Sequence, residues 1–92
     1  QFFSPVISEL RLRGMDTDDL REIIEFTLGE VHCFKSKDTH SHYPSTTSDY
    51  YSIWISECGE NMFLKLLVTY DVENNPELLV VTSFKRDDRY NV

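Results

Sequence analysis

Four basic residues between positions 35 and 86 are the side chains best suited to chemistry. Lys35 follows a short aromatic segment, and Lys65 lies between leucines in "MFLKLLV". Lys85 and Arg86 end the segment "VTSFKR". A lysine inside an apolar strand must keep its ammonium group hydrated or paired, because burying an unpaired charge is costly. Cations gathered on one open sheet face can bind a phosphate and stabilise the charge that develops during RNA cleavage, without a metal ion.

The same residues have a structural alternative. Charged side chains also protect sheet edges from pairing with other chains and keep the outer face of a sheet hydrated. Considered by residue type alone, the lysines fit this solvating role better. The two interpretations differ in geometry, since a phosphate site requires the amines to converge on one water-facing surface.

Two helical segments precede the lysine-bearing half. "SPVISELRLRG" predicts a short helix with Ser4 as its cap and Gly14 as its stop. "MDTDDLREIIEFTLGE" predicts a second helix, capped by Asp16 or Thr17 and ended by Gly29. The apolar residues at helical spacing are Val6, Ile7 and Leu10 in the first helix and Leu20, Ile23, Ile24 and Leu28 in the second.

After Gly29 the pattern becomes typical of strands. "EVHCFK", "DYYSIWISE", "MFLKLLVTYDV" and "ELLVVTSFK" are rich in branched and aromatic residues, and "CGEN" and "ENNP" mark tight turns. "SKDTHSHYPSTTS" predicts a polar loop, and the tail "RDDRYNV" is expected to fray. The order predicts an α+β fold in which two N-terminal helices pack on one face of a four-stranded, mainly antiparallel sheet.

Alternation along the strands predicts which residues share a face. One face of the third strand carries Met62, Leu64, Leu66 and Val68, and the other carries Phe63, Lys65, Leu67 and Thr69. In the last strand, Leu79, Val81, Ser83 and Lys85 are expected together, opposite Leu78, Val80, Thr82 and Phe84. The apolar faces should meet the helices and the mixed faces should point outward. Trp54 is expected in the core or packed on the sheet.

Length and charge bound the function. A length of 92 residues, with 40% hydrophobic and 27% charged residues, predicts one domain over residues 1–92. The formal net charge is −7. Acidic proteins repel phosphate backbones at long range, so nucleic-acid binding requires a local basic patch. Asp18, Asp19 and Glu22 give the second helix an acidic surface, which fits a solvated helix start and, as the alternative, a surface that faces a basic protein partner. No apolar run approaches the ~18–20 residues of a membrane span, and no membrane partner is expected.

Cys33 and Cys58 lie in or beside predicted strands, where cysteine commonly serves as a small apolar residue. Two buried free thiols in a cytoplasmic protein are expected, because small domains that depend on disulfides usually carry more cysteines. A single Cys33–Cys58 bridge in a secreted protein is the alternative.

Metal and cofactor chemistry find little support in the sequence. Asp38, His40 and His42 form a Asp-x-His-x-His run, but no further ligand completes the four that a structural zinc site needs. His32 is expected to be a core or half-buried histidine. The three glycines are scattered, so no phosphate-binding loop or dinucleotide motif is present, and no cofactor is expected.

The order of "GMDTDDLREIIEFTLGEVHCFKS", "SDYYSIW", "MFLKLLV" and "LLVVTSFKRD" resembles MqsR-type toxins of the RelE superfamily over about residues 14–87. "GEVH", "YPS" and "VVTSFKRD" are equally similar to an uncharacterised family on the same scaffold that opens with "RGIS" and continues with "GEV". The first resemblance implies a small RelE-like α+β ribonuclease of a bacterial toxin–antitoxin pair.

The resemblance also implies roles for individual residues. Lys35 in "CFKS" and Lys85 in "SFK" fall where the toxins keep active-site lysines, and Lys65 and Arg86 would hold the RNA backbone. The family's glutamine after Ile-Trp is Ile55 here, and its tyrosine before Leu-Lys is Phe63. The hydroxyl groups that remain as substitutes belong to Tyr50, Tyr51 and Tyr70.

Two functions follow as expectations. The first is a metal-independent endoribonuclease that cleaves single-stranded RNA and has a cognate antitoxin as partner. The alternative is a non-catalytic acidic binding protein, such as an immunity protein, an antitoxin or an inactive toxin relative, which binds a basic partner through Asp18, Asp19 and Glu22.

Overall fold

Two helices lead into one antiparallel sheet, and the predicted α+β arrangement is confirmed. The computed structural model of the chain describes residues 1–39 and 46–89. The sheet has the strand order β1-β2-β3-β4, with each strand antiparallel to its neighbours. The elements are α1 (Ser4–Leu12), α2 (Thr17–Phe26), a 3₁₀ turn (Glu30–His32), β1 (Cys33–Thr39), β2 (Thr46–Ile55), β3 (Glu60–Tyr70) and β4 (Pro76–Arg86).

The start of α1 is set by the strand beside it. Phe3, not Ser4 as predicted, is the N-cap residue, and no side chain caps this helix. The Phe3 N–H donates to the Val81 carbonyl at 3.0 Å, and the Val81 N–H donates to the Gln1 carbonyl at 2.8 Å. This pairing keeps the first residues extended along the edge of β4, so the helix begins only at Ser4. The edge of β4 is thereby covered.

The second helix begins as its sequence predicts. The Asp16 carboxylate accepts the Asp19 N–H at 2.9 Å, and the Asp19 carboxylate accepts the Asp16 N–H at 3.0 Å. This reciprocal pair satisfies two backbone donors that the helix itself leaves unbonded. The helix ends at Phe26, one turn before the predicted stop at Gly29.

The first hairpin is longer than composition predicts. Val31 and His32 belong to the 3₁₀ turn, where His32 Nδ1 accepts the Gly29 N–H at 3.0 Å and the ring is half-buried, as expected. β1 then extends through a polar segment predicted as loop, because its backbone pairs with the equally polar start of β2. Cross-strand hydrogen bonds outweigh weak strand propensity here. His40, His42 and Pro44 lie outside the described residues.

A hydrophobic core lies between the helices and one sheet face. Leu64 and Met62 at the centre of β3 are fully buried, as are Leu10 of α1 and Leu20 of α2. The predicted helical stripes and the predicted apolar face of β3 are confirmed at these positions. Trp54 is not in the core: it alternates with the buried Ile53 and Ile55 and its exposed fraction is 58%.

The strict alternation predicted for β4 is wrong, because the strand contains a bulge. Ser83 pairs with Lys65 and Val81 pairs with Leu66, so Thr82 is an extra residue in the register. The Thr82 hydroxyl donates to the Lys65 carbonyl at 3.3 Å. Val81 therefore joins the core together with Phe84, on the face opposite Lys85.

Both cysteines are free thiols, and both are half-buried rather than buried. Cys58 Sγ lies 3.6 Å from Met15 Sδ at the margin of the core, and burial raises the pKa of the Cys58 thiol.

Within residues 1–39 and 46–89, neither helix has the length and apolar character needed to cross a bilayer.

Candidate functional site

Three aromatic rings meet on the sheet face away from the helices. The ring centroid of Phe34 lies 6.2 Å from that of Tyr50 and 6.1 Å from that of Phe63, and Tyr50 and Phe63 are 6.0 Å apart. These rings are tilted against one another, which is a favourable arrangement for aromatic pairs. We call Phe34, Tyr50 and Phe63 the aromatic cluster, and the sheet surface that carries it the open face.

A bulge in β1 brings two neighbouring residues to this cluster. Cys33 pairs with Tyr51 and Lys35 pairs with Tyr50, so Phe34 is an extra residue in the register. Regular alternation would send Phe34 and Lys35 to opposite faces. The bulge allows the Phe34 ring and the Lys35 ammonium to approach Tyr50 from the same side.

Three lysines converge on the aromatic cluster. Lys35 Nζ and Lys65 Nζ lie 5.5 and 5.2 Å from the ring centroid of Tyr50. Lys85 Nζ lies 5.4 Å from the ring centroid of Phe63. Each contact is a cation–π interaction worth ~0.5–1 kcal/mol at an exposed site. The predicted lysines are therefore brought together, and they come from three different strands.

The sheet separates charges that the sequence mixes. Lys37 is in register with Ser48, two positions from the Lys35–Tyr50 pair, so all four lysines of the chain lie on the open face. Asp49 of β2 and Glu60 of β3 are in register with the buried Leu66 and Ile55, so they lie on the helical side of the sheet. The helices carry many of the other carboxylates. The net charge of −7 thus hides a locally cationic surface, and local potential governs what such a surface attracts.

Arg89 is a further cation of the open face, besides the four lysines, and sequence reasoning missed it. Its Cζ lies 3.7 Å from the ring centroid of Phe34. Its Nε and Nη2 donate to the two carboxylate oxygens of Asp87 at 3.0 and 2.9 Å. The expectation that the tail frays is wrong for Asp87–Arg89; residues 90–92 lie outside the described part of the chain. The sequence "RDDR" gives no sign of which aspartate is buried.

Asp87 anchors this end of the chain. Its exposed fraction is 3%, and its backbone N–H donates to the Asn61 carbonyl of β3 at 3.0 Å. The hydrogen bonds from Arg89 hold the pKa of the Asp87 carboxyl far below its usual range; burial opposes this shift, and the Ser52 hydroxyl supports it. The Asp87–Arg89 pair therefore stays charged in mildly acidic solution.

The Asp87→Asn variant should lose about 2 kcal/mol of unfolding free energy at neutral pH, because a buried hydrogen-bonded charge is removed. The pKa of Asp87 is lower in the folded than in the unfolded protein. Its stabilisation is therefore complete above the ordinary value of 3.8 and declines as the pH falls below it. Urea unfolding of both proteins across this pH range measures the difference.

Asp88→Asn is the matched control, since the Asp88 side chain is 89% exposed. We expect a change of less than about 0.5 kcal/mol for it at any pH. Equal stabilities of wild type and Asp87→Asn at neutral pH would contradict the structural role of the pair.

Arg86 is positioned differently from the lysines. It is in register with the buried Met62, and its Nε lies 3.1 Å from a carboxylate oxygen of Glu60. The other Glu60 oxygen accepts Arg13 Nη1 at 2.8 Å. The Arg86 guanidinium is thus bound on the helical side of the sheet, where it links β3 and β4 to the end of α1.

The structure distinguishes among the tyrosines that the sequence left open. Tyr50 lies between Lys35 and Lys65. Tyr51 packs against the core, and burial together with the nearby Asp49 raises the pKa of its phenol. Tyr70 lies at the other end of the sheet, with its hydroxyl 3.4 Å from that of Thr47. Of these three tyrosines, Tyr50 is the one that lies on the open face with the lysines.

Ile55 and Phe63 stand where the MqsR-type toxins keep their other two active-site residues, and the two lie in different environments. Ile55 is 3% exposed and belongs to the core, so it cannot contact a ligand. Phe63 is part of the aromatic cluster and offers a ring but no hydrogen bond. A shallow depression of about 230 Å³ lies beside it, lined by Phe63, Lys85, Arg86, Asp87, Asp88 and Arg89.

The acidic residues predicted to bind a partner lie on α2, away from the lysines. Asp18 is 79% exposed and forms an ion pair with Arg21 at 3.0 Å. Asp19 is occupied in capping the helix, and Glu22 is exposed. Within residues 1–39 and 46–89, no three His, Cys, Asp or Glu side chains gather closely enough to hold a metal ion.

The chain matches no known protein-family profile, no curated protein and no solved structure. Membership of the RelE superfamily therefore stays a prediction from the sequence segments. The α+β fold and the cationic, aromatic sheet face are properties of the described chain itself.

Proposed function

We propose that the open face binds single-stranded RNA and cleaves it without a metal ion. The observation that carries this proposal is the convergence of Lys35, Lys65 and Lys85 on the aromatic cluster. Single-stranded nucleic acids are bound by aromatic side chains that stack on bases and by cations that follow the backbone. The open face combines both kinds of group within one surface.

Charge separation favours one orientation of RNA on the protein. The lysines present positive potential on the open face, whereas α2 presents carboxylates on the reverse side. An approaching polyanion is attracted to the first surface and repelled by the second. This arrangement supports RNA binding by a protein of net charge −7.

The cleavage step requires charge stabilisation and proton transfer. The ribose 2′-oxygen attacks the adjacent phosphorus, the bond to the 5′-oxygen breaks, and the products carry a 2′,3′-cyclic phosphate and a 5′-hydroxyl. The 2′-hydroxyl gives up one proton and the leaving 5′-oxygen takes one up. Lys35 and Lys85 stabilise the negative charge on the pentavalent phosphorus group, and the Tyr50 hydroxyl is suited to transfer a proton.

RNA affinity should fall steeply with salt. Each phosphate neutralised on a single strand contributes about −0.7 to the slope of log K against log salt, so the four lysines of the open face predict a slope near −3. The affinity should then fall roughly fifty-fold between about 50 and 200 mM salt. Fluorescence anisotropy with a labelled single-stranded RNA measures this slope.

Two variants sharpen the salt experiment. Lys65→Ala should make the slope less negative by about 0.7, because one phosphate contact is lost. Arg11→Ala removes the same charge from α1, on the reverse side, and should leave the slope unchanged. A slope near zero, or no binding by the wild type, would contradict the proposal.

A second candidate function uses the acidic surface of α2. The exposed carboxylates of Asp18 and Glu22 lie beside Phe26, whose exposed fraction is 81%. An apolar residue next to solvated acids suits a basic protein partner. A basic protein that co-purifies with the chain, dissociates at high salt and fails to bind Asp18→Asn would favour this function over RNA binding.

A further inference from the structure

The guanidinium of Arg89 contacts the aromatic cluster more closely than the lysines do. Its Cζ lies 3.7 Å from the Phe34 ring centroid, whereas the lysine nitrogens lie 5.2–5.5 Å from theirs. A separation of 3.7 Å lets the flat guanidinium lie against the ring, a contact that an ammonium group cannot make with a planar surface. Arg89 thus adds a flat surface to the cluster as well as a charge.

Asp87 holds this surface in place before any ligand binds. The carboxylate accepts two side-chain N–H groups of Arg89 and also its backbone N–H at 3.1 Å. The exposed fraction of Asp87 is only 3%, and its backbone N–H donates to the Asn61 carbonyl. The guanidinium plane is therefore oriented by a bidentate pair whose acidic partner cannot easily move.

The stacked arginine remains accessible beside a depression. The Arg89 side chain is 48% exposed although it contacts both Phe34 and Asp87. The depression of about 230 Å³ next to it is bordered by Phe63 and Lys85. An aromatic ring, a stacked guanidinium and an ammonium group thus surround one open volume.

We propose that this depression holds one unstacked nucleobase of a single-stranded RNA, between Arg89 and Phe63, with Lys85 on the adjoining phosphate. Bases splayed out of a single strand stack on aromatic rings and on arginine planes, which matches the two groups present. Asp87 acts through Arg89 and is a positioning residue. This inference rests on the proposed RNA binding and identifies where a base is recognised within it.

A phosphate contact by Arg89 would produce a different result from base stacking. Arg89→Lys keeps the positive charge but loses the flat group and the bidentate pair with Asp87. Two probes separate the effects: a short oligoadenylate, and an abasic ribose-phosphate oligomer of the same length. The abasic probe reports phosphate contacts alone, and the ratio of the two affinities reports stacking.

The wild type should bind oligoadenylate roughly five-fold or more tightly than the abasic oligomer. Arg89→Lys should reduce the ratio of the two affinities by most of the factor that the stacking of one base contributes. Its affinity for the abasic probe should equal that of the wild type. Lys65→Ala is the matched control, and it should weaken both probes equally. Asp87→Asn should lower the affinity ratio as Arg89→Lys does, while the loss of its negative charge should strengthen the binding of both probes. Thermal unfolding of each variant confirms that it is folded.

The outcomes distinguish this inference from the broader proposal. Binding of neither probe by the wild type would overturn RNA binding and the base pocket together. Binding of both probes by the wild type, with the same affinity ratio in Arg89→Lys, would overturn the base pocket alone. An equal loss on both probes in Arg89→Lys would make Arg89 a phosphate contact and would also overturn the pocket. If Asp87→Asn fails to fold, Arg89→Lys decides the question.

Discussion

Lys85→Ala should cleave single-stranded RNA at least about 100-fold more slowly than the wild type, with EDTA present throughout. Removing one preorganised group that stabilises transition-state charge typically lowers kcat by ~10²–10³-fold. Lys85 Nζ lies over Phe63 at the edge of the depression, where the charge on a phosphate would develop. Lys35→Ala should have a similar effect from the other side of the aromatic cluster.

Single-turnover kinetics at saturating protein separate this effect from weaker binding, because every RNA molecule is then bound. Lys37→Ala is the matched control: it removes the same charge from the open face, two residues along β1 from Lys35. We expect Lys37→Ala to require more protein for saturation but to reach the wild-type rate. A Lys85→Ala variant that cleaves at the wild-type rate under these conditions would contradict the catalytic role.

Leu64→Ala should be the most destabilising of the substitutions considered, with a loss of about 2–5 kcal/mol in the free energy of unfolding. Leu64 has an exposed fraction of 0% at the centre of β3, facing the helices. The substitution removes apolar contacts and leaves a cavity that the surrounding strands and helices fill only in part. For a domain of this size the loss is a large share of the total stability.

Leu12→Ala tests the same chemical change without burial. Leu12 at the end of α1 is 83% exposed, so we expect a change of less than about 0.5 kcal/mol. Urea unfolding followed by circular dichroism measures both variants. Similar stabilities of Leu64→Ala and Leu12→Ala would show that the helices do not cover this sheet face. That result would contradict the assignment of the opposite face as the open face.

Local patterns in the sequence predict much of the framework. The apolar stripes of both helices, a cap at Asp16 or Thr17, the turn at Gly14 and the inward face of β3 follow from spacing and residue type, and the structure places the cap at Asp16. Such signals depend on neighbours within a few residues along the chain. The same spacing correctly predicts an antiparallel order of strands with helices on one side.

Pairing between strands overrides those local signals elsewhere. The polar residues Ser36–Thr39 predict a loop, but they are a strand because the start of β2 pairs with them. Ser4 has the residue type of a helix cap, but the backbone pairing of Phe3 with Val81 starts the helix without one. Trp54 has the residue type of a core position, but alternation with two buried isoleucines turns it outward.

The sequence by itself determined the helices, the order of the strands and the lysines that are suited to bind a phosphate. Only the tertiary structure decided that three of these lysines meet around Phe34, Tyr50 and Phe63, and that Arg89 joins them. The physical reason lies in the two bulges and in the buried Asp87. A bulge changes which face a side chain occupies, and it is defined by pairing with a distant strand rather than by neighbours along the chain.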